Sequence, residues 1–153
     1  MKKKINVIDV FIILAVVFSL LGVGVRMYIN AFIENHSENH IITLKFSGIS
    51  EEYKDKLKVG EEAEWKDNAL VLGEIIDIES VPHKTPILDG DKYTEVVENG
   101  KIDMTVRIRV TGEDRDSGFR FAGKYYMSCG MSITVETVNF EGMAVIMDIS
   151  HEK

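Results

Sequence analysis

Hydrophobic positions in this chain follow two different rhythms. Near the start, "VFIILAVVFSLLGVGV" gives 16 consecutive residues (10–25) without a charge. As a helix this run rises ~24 Å, a little short of a ~30 Å hydrocarbon core. Ile5, Val7 and Ile8 extend it on one side of Asp9, and Met27, Tyr28, Ile29, Phe32 and Ile33 on the other side of Arg26. Both charges then fall near the interfaces, where the arginine stem can snorkel and Tyr28 can sit at headgroup level. Beyond residue 40 the rhythm becomes two. In "IDMTVRIRV", Ile102, Met104, Val106, Ile108 and Val110 share one face while Asp103, Thr105, Arg107 and Arg109 share the other, the alternation of a half-buried antiparallel strand. "HIITLKFS", "EEAEW", "LVLGEIIDIE", "MSITVETV" and "GMAVIMDIS" follow suit; in the last, Met143, Val145, Met147 and Ile149 point one way.

Turn signals complete the outline. Asn99-Gly100 predicts a hairpin that returns a strand over 92–98 into one over 101–110. Ser50 is placed to cap a short helix in "EEYKDKL", with Glu51 and Glu52 in its first turn and Gly60 after its end. The expected architecture is mainly β: a transmembrane helix, then a small antiparallel β-barrel or sandwich of about seven strands with one short helix. "VGEEAEWKDNALVLGEII" and "CGMSITVETVNFEGMAVI" share one plan of glycine, strand, turn, glycine, strand, with Gly60 and Gly73 in the first copy and Gly130 and Gly142 in the second. Glycines at strand starts and bends suit a strongly coiled sheet. The expected division is 1–33 for a cytoplasmic tail and anchor, 34–40 for a polar linker, 41–150 for an extracytoplasmic β-domain and 151–153 for a tail.

Charge orients this plan. Lys2, Lys3 and Lys4 precede the span, which holds the N-terminus in the cytoplasm; Arg26 lies at the far end. A cleaved signal is the rival, since "GVG" is a small-x-small site, although apolar residues continue to Ile33. From residue 34 onward, 14 basic side chains face 24 acidic ones, a net −10 within an overall −7. Such a surface repels phosphate backbones and excludes nucleic acid as a partner.

The resemblance to known sequences rests on "INVIDV", "KVGEEAEW", "LGEIIDIESVP" and "CGMSITVETVNFEGMAVI". Together these resemble a bacterial family known as domain of unknown function number 4330, over nearly the whole chain. That resemblance implies one N-terminal span and a β-rich outer portion in a bacterial cell membrane, with no established activity. A fainter similarity to mammalian-cell-entry lipid-transfer domains is carried by "GISEEYKDKLKVGEEAEW" and "FAGKYYMSCGMSI". This chain departs from them in having "FRFA" before Gly123 rather than a run of leucines, and a last strand after which no helical extension is expected.

Candidate chemistry is sparse. His36 and His40 in "ENHSENH" are four apart and would share a face on a helix, a weak metal pair without further ligands; an ordinary solvated linker is the plainer reading. The sole cysteine, Cys129, excludes an intrachain disulfide, and a small buried hydrophobe is its ordinary role; a pairing with His83 is the one catalytic alternative. "GEDRDSG" offers Asp114 and Asp116 but fails as a calcium loop, because its twelfth position is Tyr125. "LDGDKYTE", with Asp89, Asp91 and Glu95, is equally incomplete. Met104, Met131, Met143 and Met147 could line an apolar groove for a lipid or partner, or simply fill a core. No complete catalytic set and no cofactor motif are present. The expectation is a non-enzymatic binding or assembly module in the envelope, with a protein partner and self-association both open; a lipid-binding or lipid-transfer module is the alternative.

Overall fold

The computed structural model describes residues 7–35, 38–115 and 118–152. Two compact units divide at Ser37. The first contains one helix, α1, Val7–Asn35, of 29 residues. Its Phe11–Tyr28 segment is long and apolar enough to cross a membrane, and none of that segment's side chains is buried. A signal sequence near an N-terminus has the same make-up. Helix continues to Asn35 and the first strand starts at Glu38, so the polar linker expected over 34–40 is largely absorbed into these two elements. Lys2, Lys3, Lys4 and His36 lie outside the described residues.

The second unit is one antiparallel sheet. Its strands are β1 (Glu38–Ser50), β2 (Glu62–Trp65), β3 (Leu70–Asp89), β4 (Lys92–Arg115), β5 (Gly118–Phe121), β6 (Tyr125–Met127), β7 (Ser132–Thr137) and β8 (Phe140–His151). The order is β1-β8-β7-β2-β3-β4-β5-β6. The eight strands together do not form one closed barrel, because β5 and β6 continue outward from β4 and β6 ends the sheet. They are not a sandwich of two sheets either. However, β1 bonds to β4 as well as to β8, which bends the sheet around a single core. That core combines Ile42, Leu44 and Phe46 of β1 with Leu72 and Ile75 of β3, Ile133 and Val135 of β7, and Ala144 and Ile146 of β8. β4 contributes Ile102, Met104, Val106, Ile108 and Val110, the face its alternation predicts. Each such side chain contributes roughly 1.5–3 kcal/mol when fully buried.

Four expectations are corrected. Residues 92–98 and 101–110 are one strand, β4, rather than a hairpin. The hairpin turn is Gly90-Asp91, and Gly100, at φ 76°, lies in a bulge where the register jumps between Pro82↔Ile102 and Lys84↔Val97. Asn-Gly satisfies a bulge as well as a turn, because both require positive φ. Two short strands, β5 and β6, carry no alternation long enough to be legible, and they bring the number to eight. The expected helix after Ser50 is only a 3-10 turn, Glu51–Tyr53, although the Ser50 hydroxyl does accept the Glu52 amide at 3.4 Å; a second 3-10 turn spans Lys66–Asn68. On β8 Met143, Val145 and Met147 do share a face, the outward one opposite buried Ala144 and Ile146, but Ile149 leaves that face and packs partly against the core.

The internal echo is real in the backbone. The Gly60 amide donates to the Ile75 carbonyl (2.8 Å) and the Ile75 amide to the Glu61 carbonyl (2.9 Å). In the second copy the Gly130 amide donates to Ile146 (2.7 Å) and the Ile146 amide to Met131 (2.9 Å). The copies meet where β2 pairs with β7, Glu64↔Glu136 and Trp65↔Val135. At Gly73, φ is 151° and a Cβ would stand 1.8 Å from the Arg109 carbonyl oxygen. Backbone cannot yield there as a side chain could. Gly73→Ala is therefore expected to destabilise the fold by more than about 3 kcal/mol in denaturant unfolding. Gly60→Ala, with nothing within 4 Å, should cost only the ~1–2 kcal/mol of an unfavourable φ. Equal losses at the two positions would contradict this packing.

Candidate functional site

Period two on β1 places His40 on the same face as Ile42, Leu44 and Phe46, at the strand's outer end. The side chain is 1% exposed. Its ring lies against Phe119 at 4.7 Å and against His151 at 4.4 Å between centroids. His151 arrives because β8 pairs with β1 in a register that sets His40 directly opposite it. Asp114 arrives from the other edge, where Glu38 pairs with Gly112 on β4. The His40 Nδ1 is 3.1 Å from the Glu38 carbonyl oxygen, which can only accept, so that nitrogen carries a proton. The His40 Nε2 stands 3.4 Å from Asp114 Oδ2. The same oxygen is 2.7 Å from His151 Nε2, and His151 Nδ1 lies 3.4 Å from Glu38 Oε2. The chain beyond His151 is tied down: the Glu152 amide donates to the Asn39 carbonyl at 3.1 Å, and Arg109 Nε donates to Glu152 Oε1 at 2.6 Å. One donor atom each from His40, Asp114 and His151 thus lies within 4.8 Å of the other two.

A second polar cluster is centred on Asp103 of β4, where bulges in three strands converge. The Gly48 amide, in the bulge of β1, donates to Asp103 Oδ1 at 2.9 Å, and His83 Nδ1 is 2.6 Å from the same oxygen. Lys45 Nζ is 3.2 Å from Oδ2. Burial pushes the Asp103 carboxyl up, but the Gly48 amide, His83 and Lys45 together outweigh that and hold it below its usual 3.8. Beside it runs an open groove of about 570 Å³ lined in part by Lys45, Val81, Pro82, Lys84 and Val97.

The other residues singled out in the sequence fall differently. His40 is in strand β1 rather than a helix, and His36 lies outside the described residues, so the expected pair is not part of this cluster; the neighbours of His40 are His151 and Asp114. Asp114, half of the failed calcium loop, proves to be the carboxylate of this cluster. Cys129 is exposed rather than buried, and no hydrogen bond or ion pair among the described residues joins it to His83. Met104 is buried, Met131 partly so, while Met143 and Met147 are 70% and 53% exposed, so the four do not line one surface. Asp91 is in the hairpin turn itself and Glu95 lies on the strand that leaves it, within 3.3 Å of Lys84. A histidine in register with three core hydrophobic residues, Ile42, Leu44 and Phe46, is the one sequence signal for this cluster.

The family model described as Domain of unknown function (DUF4330) matches residues 1–150. No curated protein and no solved structure matches the chain, the mammalian-cell-entry domains included.

Asp103 generates a pH prediction. Its folded pKa is depressed, so its stabilisation is complete above the unfolded carboxylate value and fades as pH falls below ~3.9 toward the folded value. Asp103→Asn should flatten the acid limb of the stability–pH curve. Asp103→Ala, which leaves the Gly48 amide without its acceptor, should cost about 1–3 kcal/mol at neutral pH. An unchanged acid limb in Asp103→Asn would show that this carboxylate is not the group responsible.

Proposed function

The chain belongs to the DUF4330 family, and we propose that it is a single-pass protein of the bacterial cell envelope whose outer β-domain is a non-enzymatic binding or assembly module. The observation that carries this reading is α1: an apolar segment, Phe11–Tyr28, with no buried side chain, in a chain whose β-unit has a core of its own. A helix of 29 residues rises ~43 Å, enough to cross hydrocarbon and reach both headgroup layers. Lys2, Lys3 and Lys4 before the span support a cytoplasmic N-terminus, and the net −10 beyond residue 33 supports an outer domain that stays off anionic headgroups. The lipid-binding alternative gains nothing from the methionines, since Met104 is committed to the core and Met143 and Met147 face outward.

The sole cysteine supplies the test. Cys129 is exposed, so a membrane-impermeant maleimide applied to intact cells should label it, and Cys129→Ser should abolish the signal. The intact mass of the labelled chain should retain residues 1–33. Labelling only after lysis would reverse the topology, and a labelled chain starting near Gly24 would make α1 a cleaved signal.

A further inference from the structure

We propose that His40, Asp114 and His151 form a binding site for one divalent transition-metal ion, with Glu38 orienting both imidazoles. The first reason is the orphaned nitrogen. His40 Nε2 has no hydrogen-bond partner among the described residues, in a side chain almost completely withdrawn from solvent. Because Nδ1 is committed as a donor to the Glu38 carbonyl, the neutral ring turns the Nε2 lone pair toward the Asp114 carboxylate. A lone pair facing an anion repels it. Only a cation between them resolves the arrangement, either a proton on Nε2 or a metal ion. A proton would serve His40 and Asp114 alone, whereas a metal takes the lone pairs of His40, Asp114 and His151 at once, and these three converge here.

The second reason is geometry. Metal–ligand bonds of ~2.0–2.1 Å in a tetrahedron place ligand atoms roughly 3.3–3.4 Å apart. His40 Nε2 and Asp114 Oδ2 are 3.4 Å apart already. His151 Nε2, 2.7 Å from that oxygen, must draw back by well under 1 Å, and both His151 and Asp114 are more than half exposed and able to adjust. The third reason is the outer layer. A metal-bound imidazole characteristically donates its other nitrogen to a carbonyl or carboxylate. Here one residue supplies both: Glu38 offers its main-chain oxygen to His40 and its carboxylate to His151. Two imidazoles and one carboxylate suit zinc or iron(II) and are poorly matched to calcium or magnesium, which prefer all-oxygen shells. Three protein ligands leave a further position for water or for a group on a partner.

Metal binding at this site does not depend on membrane topology, and purified protein tests it. The full chain in detergent, stripped with a chelator, should take up one equivalent of Zn2+ by calorimetry and by metal content, and Ca2+ and Mg2+ should not compete. Anaerobic Fe2+ titration decides between the two transition metals. His151→Ala and Asp114→Asn, both at exposed positions, should each weaken binding at least about tenfold, and Glu38→Gln about tenfold. His83→Ala should leave it unchanged. Co2+ should give a tetrahedral visible spectrum that His151→Ala abolishes. The proposal is overturned by substoichiometric metal, by equal affinity in His151→Ala, or by a His40 ring that NMR shows as a stable imidazolium in the presence of Zn2+.

Discussion

The double pairing of β1 is the constraint on which the β-unit depends. Over residues 40–45 this strand bonds to β8 along one edge and to β4 along the other. A strand held on both edges cannot slip by one residue without turning Ile42, Leu44 and Phe46 out of the core. Strands far apart in sequence are thereby fixed against each other: the last residues of β8 and the far end of β4 flank the first residues of β1. The convergence of His40, His151 and Asp114 is a consequence of that register rather than of any local motif.

Bulges make the same sheet curved. β1 shifts register against β8 at Thr43/Leu44 and against β4 between Phe46 and Ile49, and β3 shifts against β4 twice. Each bulge adds twist and leaves a polar backbone group without its ladder partner. Asp103 answers part of that need by accepting the Gly48 amide, and it draws His83 and Lys45 to the same spot. The two histidine–carboxylate clusters are therefore built for different ends. At Asp103 the carboxylate is satisfied on both oxygens and serves the backbone. At His40 a buried nitrogen is left without a hydrogen bond, which gives that cluster, and not the other, the character of a ligand site.

The repeat follows similar economy. Gly60/Ile75 and Gly130/Ile146 make the same pair of backbone hydrogen bonds, and β2 and β7 join the copies edge to edge. Gly73 passes too near the Arg109 carbonyl to carry any side chain. In Gly142 a Cβ would meet the Phe140 ring at 2.7 Å, so the second copy uses its glycine to accommodate an aromatic core residue instead. One sequence plan thus meets two different neighbours.

Local periodicity alone determined the apolar helix, the mainly β composition, the buried face of β4, the Ser50 cap and the paired glycines, because each is a property of residues two to four apart. It failed where a residue type fits two conformations. Asn99-Gly100 reads as a hairpin but lies in a bulge, and Met104 and Met131 read with Met143 and Met147 as one apolar lining but divide between the core and the solvent side. Only the tertiary structure decided which partner each strand took, that the eight strands form one sheet, and that residues 40, 114 and 151 meet. Cross-strand register is set by the packing of the whole core, and no window of sequence contains it.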